Sequence, residues 1–149
     1  MRYRKLDANL DFSWGHNDAD YLLNDPLAVA QLILTRLKLW TGEWFLDLTE
    51  GTAWLPNVPN PGTPGVVGRQ PAVVPGGAAR DLIIRNRILS TQGVTEILAY
   101  QSNLDPIARI FTVAATVQTV YSTQPVPISL GLGAAGFFTL DATPLLTTR

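Results

Sequence analysis

Residues 110–121 read Ile110-Phe111-Thr112-Val113-Ala114-Ala115-Thr116-Val117-Gln118-Thr119-Val120-Tyr121, and their alternation decides the fold. Successive side chains of a strand point to opposite faces. Phe111, Val113, Ala115, Val117 and Tyr121 therefore share one face, and Thr112, Ala114, Thr116 and Gln118 share the other. The first set predicts a face laid on a core. The second is polar but uncharged, unlike most fully solvated strands. Upstream, residues 94–101 are rich in β-formers, and Ser102-Asn103-Leu104-Asp105-Pro106 carries turn chemistry, since Asn and Asp bond their own backbone. Together the two runs predict an antiparallel hairpin.

Two helices are predicted upstream of the hairpin. Asp25-Pro26 is a good start signal: Asp accepts from orphaned N–H groups, and Pro has no N–H to lose. Ala30, Ile33, Leu37 and Trp40 then recur on one helical stripe, and Gly42 can take the left-handed conformation that ends a helix. This predicts a helix over roughly 26–41. A second is predicted over about 78–89, with Ile84 and Ile88 on one face, Leu82 and Leu89 beside it, and Gln92-Gly93 closing it. Between them, Trp44-Phe45-Leu46-Asp47-Leu48 reads as a short buried strand and Thr52-Ala53-Trp54-Leu55 as a helical turn. Residues 56–77 carry Pro56, Pro59, Pro61, Pro64, Pro71 and Pro75 and predict a long loop. Residues 1–25 read as a short strand or arm followed by loop. The tail after Pro125 has apolar pieces, 128–132 and 137–140, that need a strand edge to pair with, in their own sheet or a neighbour's. The predicted fold is α+β: one small domain, two main helices packed on an antiparallel hairpin or sheet, with extended N- and C-terminal arms.

Composition narrows the function classes. The 149 residues suit one domain with its own core, and 15% charged residues is low against about 25% for globular chains. A surface so short of charge suits coverage by a partner. With 11 basic and 12 acidic residues the net charge is -1, which disfavours a nucleic-acid partner. No basic amphipathic helix points to a membrane surface. The uncharged run 110–140 is broken by Thr, Gln, Pro and Gly and reads as strands rather than a spanning helix. Without cysteine there is no disulfide framework, thiol nucleophile or Cys-based zinc site. The polar residues that follow Met1 are not the apolar core of a signal peptide.

Several motifs invite a chemical reading. His16, Asp18 and Asp20 could begin a metal site, but Asp/Asn clusters form turns far more often and further ligands are missing from this segment. Glu43, Asp47 and Glu50 are the carboxylates a glycosidase reading would use; the plainer reading is a charged rim beside the strand. Gly131-Leu132-Gly133-Ala134-Ala135-Gly136 matches G-x-G-x-x-G, but too little chain follows it for a dinucleotide fold. Trp14, Trp40, Trp44 and Trp54 read as core rather than a ligand cage. Arg80, Arg85 and Arg87 read as helix charge or a subunit salt bridge. No catalytic residue, cofactor or metal is assigned.

Residues 27–37, Leu27-Ala28-Val29-Ala30-Gln31-Leu32-Ile33-Leu34-Thr35-Arg36-Leu37, lead into Trp40-Thr41-Gly42-Glu43-Trp44-Phe45-Leu46-Asp47 and Glu50-Gly51-Thr52-Ala53-Trp54-Leu55. This resembles the baseplate wedge and sheath-initiator family of contractile phage tails and related injection systems. Ile88-Leu89-Ser90-Thr91-Gln92-Gly93-Val94-Thr95-Glu96-Ile97, the turn at Asp105-Pro106 and Arg109 resemble its second half. Two departures are Trp44, where a basic residue commonly follows Gly-Glu, and the length of the 56–77 loop. The resemblance covers roughly residues 1–122 as one domain and leaves 123–149 as an extended tail. It implies a structural wedge subunit that links baseplate to sheath and initiates sheath assembly by strand addition. Implied partners are the sheath protein, other wedge subunits, and tail tube or hub proteins, with about six copies per particle. The implied place is the tail baseplate of a virion assembled in the host cytoplasm. On this reading Phe111, Val113, Thr116, Gln118 and Tyr121, on an expected edge strand, and Ile128, Phe137 and Phe138 in the tail are the expected partner-binding residues. A peptidoglycan-cleaving enzyme of the tail is the alternative.

Overall fold

A computed structural model describes residues 1–7, 11–54, 77–105, 107–108, 110–132 and 138–139. The loop expected at 56–77 lies outside these residues except for Gly77, which opens the second helix. The architecture is α+β. Strands β1 (Arg2–Arg4) and β2 (Tyr21–Leu23) precede helix α1 (Pro26–Lys38), helix α2 (Gly77–Leu89) and strands β3 (Val94–Asp105), β4 (Ile110–Thr119), β5 (Ser122–Leu132) and β6 (Phe138–Thr139). The chain divides into two units, Met1–Leu34 with Thr91–Arg149, and Thr35–Ser90.

In the first unit, β1 and β2 form an antiparallel ribbon in which Tyr3 opposes Leu22. The main sheet is an antiparallel meander in the order β3-β4-β5-β6. Its β4–β5 register sets Phe111 against Leu132, Val113 against Leu130, Ala115 against Ile128 and Val117 against Val126. All eight side chains are buried, so the alternation read from the sequence does mark a core face. Ala28, Val29, Ala30, Ile33 and Leu34 of α1 are buried too. Gly93, at φ +92°, joins this core where a side chain would not fit: a Cβ there would meet the Val29 Cγ2 methyl at 2.8 Å and the Tyr121 ring at 3.2 Å.

The hairpin is longer than its turn chemistry suggested. β3 runs on to Asp105, and the turn follows it. The Asp105 side chain accepts from the N–H groups of Ile107 (2.8 Å) and Ala108 (2.9 Å), an Asx turn that holds the reversal four residues later than expected. Tyr121 does not continue the core face. Thr119 pairs with Ser122, so Val120 and Tyr121 are the connection between β4 and β5, and Thr119 takes the buried place.

In the second unit, α1 stops at Lys38, short of the expected end. Asp47 explains why Trp44–Leu48 is not the buried strand expected. Its side chain accepts from Thr49 N (2.9 Å) and Thr49 Oγ1 (2.6 Å), and Glu50 N donates to its carbonyl (3.2 Å). These local bonds make successive turns that compete with a strand ladder. Phe45 and Leu46 are left 82% and 69% exposed. Thr52 forms a parallel bridge with Trp40 rather than opening a helical turn. α2 carries buried Ile84 and Ile88 as expected, whereas Leu82 and Leu89 are exposed.

Candidate interaction surface

The carboxylates weighed for catalysis are each held by local hydrogen bonds or ion pairs. In the second unit, Glu50 accepts from Arg87 Nη2 at 2.5 Å, with Arg36 Nε at 3.7 Å. The Arg87 hydrogen bond pulls the Glu50 pKa down. The Thr49 hydroxyl does the same for Asp47. Glu43 accepts from Trp40 N at 3.0 Å, closing its own turn. A general acid needs a raised pKa, and the bonds to Glu50 and Asp47 stabilise the charged form instead.

His16, Asp18 and Asp20 of the first unit do not converge. Asp20 is buried and accepts from Ser13 Oγ (2.6 Å), His16 N (2.9 Å) and the His16 ring (2.9 Å), while Asp18 faces Arg2 (3.6 Å). The Ser13 hydrogen bond leads the causes that lower its pKa to about 2. The Arg4 guanidinium stacks over Trp14 at 3.9 Å and over Tyr21 at 4.5 Å and donates to Ser13 O, which closes a polar knot around Asp20. Among the described residues no group of three or more His, Cys, Asp or Glu could hold a metal. Of the tryptophans read as core, Trp54 is fully buried, Trp40 partly, and Trp14 and Trp44 are exposed.

The expected partner-binding residues do not gather into one surface. Phe111, Val113 and Ile128 are buried on the inner face of the sheet. Thr116 and Gln118 lie half-exposed on the opposite face, and the Gln118 amide donates to Ser122 O. Tyr121 sits in the β4–β5 connection beside Gly93. Phe138 pairs with Leu132 at the far side of the sheet, and Phe137 lies outside the described residues. β4 is paired along both sides, so the edge expected at 111–121 is not there. The strands that end the sheet are β3 on one side and the two-residue β6 on the other.

The uncharged outer face read from the sequence is present: Ala99, Gln101, Ala114, Thr116, Pro127 and Ser129 line a concavity there in the first unit. Sequence reasoning passed over the hairpin tip, where Leu104, Ile107 and Ile110 are exposed by 37%, 94% and 40%. Period-two reading assigns faces, and it carries no signal for which strand ends a sheet. Among the described residues no helix is long and apolar enough to cross a membrane.

No curated protein matches the chain. The family of contractile injection system sheath initiators matches residues 2–122, most of the length. The chain therefore belongs to the contractile injection system sheath initiator family.

Proposed function

We propose that this chain is a structural baseplate wedge subunit that links the baseplate to the sheath and starts sheath assembly by accepting a strand on its sheet. The observation that carries this is the pairing of family membership with a four-stranded sheet that ends in a twelve-residue, largely uncharged strand, β3. Backbone hydrogen bonds across an added strand supply affinity, and alternating side chains supply register. Sheath protein and other wedge subunits are the partners, tube or hub proteins are further candidates, and about six copies would close one ring. Thr116, Gln118, Tyr121 and Phe138 stay candidates for face contacts, while buried Phe111, Val113 and Ile128 would act by holding the sheet in shape. Residues 123–149 serve in this proposal as an arm added to the 1–122 domain.

Affinity capture of the tagged chain from cells assembling the particle tests this. Near-stoichiometric recovery of sheath and wedge subunits is the expected result. Recovery of the chain alone, soluble and monomeric, removes the proposal. Clearing of cell-wall substrate by the pure protein, abolished by Glu43→Gln, would establish the enzymatic alternative instead.

A further inference from the structure

We infer that strand addition is one-sided: the sheet takes a partner strand only along β3, because the chain's own β5 occupies the other side of the β3–β4 hairpin. This rests on the strand-addition reading and names where it happens.

The family match ends at residue 122, where β5 begins. β5 is thus a strand added to the matched hairpin by the chain itself. The two-residue connection Val120-Tyr121 turns it straight back along β4. Val126, Ile128, Leu130 and Leu132 then enter the core, at 7% exposure or less. A strand that displaced β5 would return all four apolar side chains to water, so β5 stays in place.

The outer edge of β5 is a poor acceptor of a further strand. Pro125 and Pro127 are two residues apart, so their missing donors fall on the same edge. Proline is tolerated in a sheet where its nitrogen faces away from the ladder. The intact β4–β5 register through Thr116 and Pro127 points to that outward arrangement. β6 occupies the edge at Gly131 and Leu132.

β3 differs on each count. It ends the sheet along its whole length and has no proline. Its register irregularities lie before Ala99, and from Ala99 to Asp105 it runs in unbroken register against Thr116 to Ile110. Bulges discourage edge pairing, so the regular half is the docking half. At its end, around the Asx turn of Asp105, Ile107 is almost fully exposed and Leu104 and Ile110 are partly so. The occupant is an extended arm of a sheath subunit, alternating apolar with uncharged polar residues: Ala99, Gln101 and Asn103 offer no charge to pair, and the tip offers apolar surface.

Hydrogen exchange read by mass spectrometry on the full chain, free and co-purified with the sheath protein of the same particle, tests this. Amides of 99–105 are expected to slow by about tenfold or more in the complex while those of β5 keep their rates. Ile107→Asp, at a site with no burial to lose, is expected to weaken sheath capture by about tenfold. Slowing confined to β5 and β6, or faster exchange within β5, overturns one-sided addition and leaves strand addition standing. Failure of the sheath protein to co-purify at all removes the strand-addition reading and this inference with it.

Discussion

Trp54→Phe tests how the second unit is closed. A helix leaves its last four carbonyls without intrahelical partners. At the end of α1, Leu39 N donates to Thr35 O at 3.1 Å. The segment 52–54 supplies further donors: Thr52 Oγ1 to Arg36 O at 3.0 Å, Trp54 Nε1 to Leu37 O at 2.6 Å, and Thr52 N to Leu39 O at 2.7 Å. Trp54 and Thr52 are 0% and 1% exposed, so water does not replace a lost donor. Phenylalanine keeps an aromatic ring but strands the Leu37 carbonyl, which costs about 1–3 kcal/mol, and the smaller ring leaves a void that adds to it. In a chain of this length each kcal/mol lowers the melting temperature by about 2–4 °C. Urea unfolding followed by circular dichroism measures the loss without depending on tryptophan emission. Thr52→Val removes a donor to the same helix end, so the two substitutions should be non-additive in a double-mutant cycle. A Trp54→Phe protein within about 0.5 kcal/mol of the parent would refute the capping argument.

Gly51→Ala should destabilise the second unit by more than about 1 kcal/mol in the same assay, because φ is +128° and a Cβ would sit 2.5 Å from Thr41 N. Thr119→Val should be neutral or raise the melting temperature, since Thr119 Oγ1 is buried with no partner among the described residues and valine has the same shape. Asp20 sets an acid limit. Its folded pKa of about 2 lies below the unfolded value of about 3.9, so its contribution is complete above about pH 4 and fades as pH falls toward 2. Asp20→Asn should flatten the melting temperature across that window and lower it at neutral pH. Val113→Asp puts an unpaired charge under the sheet and should abolish cooperative melting, whereas Thr116→Lys on the opposite face should leave melting unchanged.

Local information was enough for much of this molecule. The 3.6-residue stripe of Ala30, Ile33 and Leu37, the pair Ile84 and Ile88, and the two-residue alternation from Phe111 to Val117 each report a buried face, because the period of burial equals the period of the backbone. The low charge of residues 110–132 and the motifs of 27–55 were likewise legible, and they led to the family. Tertiary structure decided the rest. Trp44–Leu48 has a strand's composition, yet Asp47 and Thr49 bind its backbone into turns. Trp54 looks like any tryptophan until its indole N–H is seen on the Leu37 carbonyl. Above all, the alternation of β4 is the same whether that strand is central or terminal. Only pairing with β5 makes it central and leaves β3 at the end, because edge status belongs to the neighbours a strand acquires in the folded sheet and not to its own residues.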